Sequence, residues 1–134
     1  MADVVSTRPL LDKLGVKPGA RVGLVYLDAT WFEALLLQRT PDIWHGRPKR
    51  DSDLILLWAD SHEELARLRK LIPFIRQNGA IWVVSRKGRA ATLRDMDVMA
   101  GAAAAGLVDN KVVSFSETQT ALRLVIRLKD RRPE

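Results

Sequence analysis

Asp53–Lys87, DLILLWADSHEELARLRKLIPFIRQNGAIWVVSRK, is the stretch whose reading decides the fold. It holds a continuous apolar run, a segment with helical period, a Gly break and a second apolar run. A strand that is apolar at every position has no face left for water, so it belongs inside a sheet covered on both sides. Two such strands joined by a helix make a parallel crossover unit. Ser61-x-x-Glu64 has the spacing of a capping box and sets the start of the helix. Leu65, Leu68, Ile72 and Ile75 are its expected buried stripe. Pro73 falls inside that stripe and predicts a kink or split. Asn78-Gly79 is the expected helix end, with AIWVVS as the next strand.

Outward from this unit, the rest of the 134 residues read as one domain. Residues 1–7 and 130–134 are expected to be loose. Pro9 suits the first turn of a short helix ending at Leu14, with Gly15 as its stop. After the Lys17-Pro18-Gly19 turn, residues 21–27 (RVGLVYL) read as the first strand. Thr30-x-x-Glu33 predicts a second capped helix, to about Arg39. Residues 40–52 are irregular, with a very short edge strand possible at Ile43 and Trp44. Thr92 is the expected cap of a helix running to about Ala105, followed by Gly106. The small-residue run GAAAAG suits close packing of that helix on the sheet. KVVSFS and ALRLVIRL, separated by ETQT, predict a hairpin. The architecture is α/β, a three-layer sandwich with a mainly parallel sheet and one antiparallel strand in the C-terminal hairpin.

Composition bounds the function. No apolar run reaches the length of a membrane span, and the first residues lack the pattern of a secretion signal. The chain has no cysteine, so disulfides, thiolate metal sites and a cysteine nucleophile are excluded. A cytoplasmic location is expected. The net charge is +6, with basic residues in short clusters, which makes weak binding to nucleic acid through phosphate contacts conceivable. His45 and His62 are the two histidines and read as ordinary surface residues, with no metal site expected. Trp58 and Trp82 lie in apolar strands and are expected core. Trp31 and Trp44 are the better candidates for a pocket wall or partner surface.

Three phrases carry a resemblance. LGVKPGARVGLVYL (14–27) looks like the lead-in helix, turn and first strand of the class I S-adenosylmethionine-dependent methyltransferase fold. Residues 53–85 resemble its fourth strand, helix and fifth strand. AAAAGLVDNKVVSFSETQTALRLVIRLK (102–129) is similar to its closing helix and hairpin. The combination resembles a bacterial family of short domains of unknown function built on a truncated, Rossmann-like version of that fold. The resemblance implies S-adenosylmethionine as the cofactor to test, but the residues depart from the pattern. Where the family has a glycine-rich turn after the first strand, this chain has Asp28-Ala29-Thr30-Trp31. Where the family has an acid for the ribose, it has HGRPKRD. No cofactor is therefore expected.

In open parallel sheets, ligands bind beyond the carboxyl ends of the strands. Those ends carry Asp28, Thr30 and Trp31 after the first strand, Asp60 and Ser61 after the central strand, and Ser85, Arg86 and Lys87 after the next. These eight are the candidate ligand-binding residues, and no catalytic residue stands out. The leading expectation is a non-catalytic module that binds a small anionic or nucleotide-like ligand, or a protein partner, at this end of the sheet. The alternatives are a small methyltransferase and a weak nucleic-acid binder. A homodimer is expected if the first strand is left as an exposed sheet edge.

Overall fold

Two strands lie at the centre of the sheet because their apolar runs, 54–57 and 80–84, are buried on both faces. β3 (Ser52–Trp58) and β4 (Ile75–Arg86) pair in parallel, Leu54 opposite Ala80 through Trp58 opposite Val84. The computed structural model describes residues 9–133, so the expectation for residues 1–7 and Glu134 lies outside the described residues. The sheet has six strands in the order β2-β1-β3-β4-β6-β5. β1 (Val22–Val25) and β2 (Ile43–His45) continue the parallel array. β5 (Leu107–Ser114) and β6 (Gln119–Ile126) form the hairpin, and β6 is antiparallel to both of its neighbours. The expected fold class holds: a Rossmann-like sandwich with a single antiparallel strand.

The alternation along the strands sorts the core into two layers. Leu54, Leu56, Trp82 and Val84 pack with α1 (Leu10–Leu14) and α2 (Thr30–Leu37). Ile55, Leu57, Ile81 and Val83 pack with α3 (His62–Leu65), α4 (Leu68–Leu71) and α5 (Asp95–Ala104). Full burial of a Leu or Ile side chain contributes roughly 1.5–3 kcal/mol, so a strand buried on both faces draws stability from every residue. Trp82 is wholly buried, and its indole N–H donates to the Leu14 carbonyl (3.1 Å), pinning α1 onto β4. Among the described residues, no helix is long and apolar enough to cross a membrane.

Several local expectations are corrected. The segment after Ser61 is not one helix. It is α3, α4 and a 3-10 turn at Ile72–Phe74 that contains Pro73, so the split begins before the proline. Ile75 is already strand. Asn78-Gly79 does not end a helix but lies within β4, in an irregular bulge where the pairing jumps from Ser52–Ile75 to Leu54–Ala80. A Cβ on Gly79 would come within 2.9 Å of the Asp53 carbonyl oxygen, which is why a glycine stands where the two backbones approach. α5 is capped at Arg94, whose backbone N–H donates to Asp97 Oδ2 (2.8 Å), while the Thr92 hydroxyl instead donates to the Asp60 carbonyl. Gly101 of the small-residue run faces Leu65 of α3, so the run serves helix-on-helix contact as well as the sheet.

The first strand is not an edge. β2 covers it, through the pairs Val22–Ile43, Gly23–Trp44 and Leu24–His45, so the edges are β2 and β5. Trp44 is buried rather than displayed, with its indole N–H donating to Ser52 Oγ (2.8 Å). β5 begins at Leu107, earlier than the KVVSFS reading. β6 buries Ala121 and Val125 on one face and Leu122 and Leu124 on the other. Leu128 lies beyond it and is exposed. Residues 131 and 132 are tied down: Arg131 Nε donates to the Ile126 carbonyl and the Arg132 N–H to Gln77 Oε1.

Candidate functional site

At the carboxyl ends of β1 and β2 lies a cleft of about 530 Å³. Its floor is apolar, from Leu24, Val25 and Leu27. Its polar side chains are Tyr26, Asp28, Thr30, Glu33 and His45. The parallel pairing of Leu24 with His45 brings the residues after β1 beside those ending β2. Glu33 does not complete a capping box with Thr30. Ala29 is the N-cap of α2, Thr30 is its first helical residue, and no side chain caps it. Glu33 turns instead to His45, whose Nε2 lies 2.9 Å from Oε1. The cleft thus has an apolar floor, two carboxylates and an imidazole held by one of them. Such a lining accepts hydrogen bonds from hydroxyl and amino groups against an apolar surface.

The turn into this cleft holds a backbone conformation that glycine usually supplies. Tyr26 has φ +57°, in the left-handed region where a bulky residue is an outlier. The residue is 66% exposed, and the Arg67 guanidinium carbon stands 4.0 Å from its ring centroid. Arg67 NH1 also bonds Glu64 Oε2 (3.2 Å). The bend after the first strand is therefore made without a glycine, braced by an arginine from the segment after β3.

A second cluster sits at the ends of β3 and β4. Ser61 caps α3 by accepting from the Glu64 N–H (3.1 Å), while Glu64 Oε1 accepts from the Asp60 N–H (2.9 Å). The expected box forms, with Asp60 rather than Ser61 as the backbone donor. Asp60 Oδ2 is 3.8 Å from Arg86 NH2, and Arg86 lies 5.9 Å from the Trp58 ring centroid. The hydrogen bond to the Glu64 side chain pushes the Asp60 carboxyl above its usual range, against the pull of Arg86. Glu64 is lowered to about 2 by its bonds to the Asp60 side chain and backbone, then to Ser61 and Arg67.

The eight candidate residues therefore divide. Asp28 and Thr30 line the cleft. Asp60, Ser61 and Arg86 belong to the second cluster. Trp31 packs on Phe32 and Phe115, with centroids 5.7 and 5.3 Å away. Ser85 is buried in β4, and Lys87 Nζ donates to Ser114 Oγ (2.7 Å). No spacing in the sequence pairs Glu33 with His45. The short edge strand carries the signal: once residues 43–45 pair with β1, His45 must lie beside the first strand end.

The fold is shared with solved methyltransferases. A Sulfolobus solfataricus protein classed with the type 11 methyltransferases superposes with TM-score 0.67 at 12% identity, covering 93% of this chain and 94% of that one. A SAM dependent methyltransferase from Aquifex aeolicus gives 0.67 at 13% identity, covering 87% and 88%. Magnesium protoporphyrin IX methyltransferase from Synechocystis PCC 6803, solved with bound SAM, gives 0.63 at 12% identity, covering 88% and 74%. At these identities the likeness is one of fold. No curated protein matches the sequence. The family described as "Protein of unknown function (DUF3052)" matches residues 41–128, from β2 to the end of β6, and the chain belongs to that family.

Proposed function

We propose that this protein is a small-molecule-binding module, non-catalytic, that seats a nucleoside-like ligand in the cleft at the ends of β1 and β2. The observation that carries the reading is the cleft itself: about 530 Å³ of space beside Asp28, with Glu33 and His45 facing the same volume. A largely apolar pocket with a few convergent polar groups is what a small-ligand site consists of. Its place at the carboxyl ends of parallel strands supports the reading further. The Synechocystis structure of the same fold holds SAM, which makes adenosine-containing ligands the first to try. An anionic ligand would meet Arg86 in the second cluster rather than the two carboxylates of the cleft.

Titration calorimetry with S-adenosylmethionine, S-adenosylhomocysteine and adenosine tests the proposal. Micromolar binding, weakened in both Asp28→Asn and Glu33→Gln, supports it. Silence at millimolar ligand, or binding that ignores both substitutions, overturns it. The fold similarity to methyltransferases favours one second reading, a small S-adenosylmethionine-dependent enzyme. Turnover of S-adenosylmethionine to S-adenosylhomocysteine with any acceptor would replace the first reading with that one.

A further inference from the structure

A second cavity, of about 380 Å³, opens at the opposite end of the sheet from the cleft. It lies between the Lys17-Pro18-Gly19 turn that leads into β1, the start of β3 and the bulge of β4 at Asn78 and Gly79. One wall is Arg123 of β6. Arg123 is half-buried in the sheet, opposite Trp82 on one side and Lys111 on the other. Its guanidinium donates to the neutral amide oxygen of Asn110 (3.3 Å), and no described carboxylate lies in ion-pairing range of it. The acid in the same wall, Asp53, is already engaged. It accepts from the Arg21 N–H (2.9 Å) and pairs with Arg76 Nε (3.2 Å).

Apart from the engaged Asp53, the charges near Arg123 are cationic: Lys17 in the same cavity, Lys111 across the strand pair and Arg131 close enough to act on it electrostatically. Partial burial, and then Arg131, make its charged form less comfortable than in water. A partly desolvated cation without a counter-charge is a cost that folded proteins seldom carry without a return. A guanidinium also presents a planar fork of donors that matches the oxygens of phosphate.

We propose that this cavity binds a small oxyanion of the phosphate class, inorganic phosphate or a phosphomonoester, with the Arg123 fork and the Lys17 ammonium as its two cationic contacts. Two positive side chains complement a dianion better than a single carboxylate, and the space exceeds what a carboxylate alone would fill. The site is separate from the strand-end cleft and does not depend on what that cleft holds.

The test is a two-dimensional 15N NMR titration of the full chain with inorganic phosphate, at ionic strength held constant with sodium chloride. The expected result is saturable shifts centred on the amides of Lys17, Gly19 and Gly79. Arg123→Gln should weaken the apparent affinity by about tenfold, the scale of one charge-assisted contact. Arg123→Lys, which keeps charge but loses the fork, should fall between. Lys17→Gln sits on an exposed turn and leaves the sheet intact, so it decides the matter if Arg123→Gln fails to fold, and it should weaken binding several-fold. Linear, unsaturated shifts spread over Arg86, Lys87 and Arg89 would overturn the proposal. So would saturation that Lys17→Gln or a folded Arg123→Gln leaves unchanged.

Discussion

A Cβ placed on Gly23 would stand 2.0 Å from Cζ2 of Trp44. The two residues are direct partners across the parallel pair of β1 and β2, and the indole occupies the space that any side chain at 23 would need. This contact fixes how the shortest strand of the sheet lies against the first one, and with it the position of His45 beside the cleft.

Gly23→Ala is therefore expected to destabilise the fold by about 2–3 kcal/mol, the upper part of the range for forcing extra atoms into a packed core. Urea unfolding followed by tryptophan fluorescence measures it. A loss below about 0.5 kcal/mol would mean that Trp44 can move aside at little cost.

Tyr26 separates backbone strain from side-chain contact. Tyr26→Ala keeps a β-carbon in the left-handed region and removes the Arg67 stack, while Tyr26→Gly removes both the stack and the strain. The glycine variant should be more stable than the alanine variant by about 1 kcal/mol. Equal stabilities in chemical denaturation would show that the turn relaxes when the ring is removed.

Glu64 carries a pH dependence. Its folded value, about 2, lies below its ordinary 4.5, so the stability it adds is present above pH 4.5 and is lost as pH falls toward 2. Asp60 runs the other way: its raised carboxyl binds a proton more readily in the folded state, so it favours folding at low pH and opposes it once ionised. Glu64→Gln should cost about 1 kcal/mol at neutral pH, the scale of a lost cap. Its difference from the parent chain should shrink between pH 4.5 and about 2. Asp60→Asn should relieve the neighbouring charge and flatten the acid limb. Thermal melts at fixed pH values check both, and a Glu64→Gln deficit constant across that window would contradict the assignment.

Phe115 closes an aromatic cluster with Phe32 (4.8 Å between centroids) and Trp31 (5.3 Å), tying the hairpin to α2. Phe115→Ala should cost about 3–4 kcal/mol. It should also shift tryptophan emission to the red as Trp31 gains solvent. An unshifted spectrum in a folded variant would place Trp31 elsewhere.

The central unit was legible because its information is local and redundant. Apolar residues at every position of 54–57 and 80–84 permit only a covered strand, and Ser61 with Glu64 can start a helix from four residues. The bulge at Asn78-Gly79 was not legible, because the same dipeptide ends helices and lines close backbone approaches, and only the pairing with β3 distinguishes them. Thr30 and Glu33 had the spacing of a cap and did not form one, since a better partner for Glu33 arrives from a strand twelve residues away.

By itself, the order of residues determined the central strands, the one antiparallel strand and hence the layered α/β architecture, because period acts within a few residues, while the bounds of the segment after Ser61 did not follow from it. Which polar groups share a volume was decided only by tertiary pairing. Glu33 meets His45, Tyr26 meets Arg67, and Arg123 and Lys17 line one cavity because strand register and helix packing carry distant backbone segments together. Hydrogen bonds and charge contacts reach only a few ångströms, and no spacing along the chain encodes that distance.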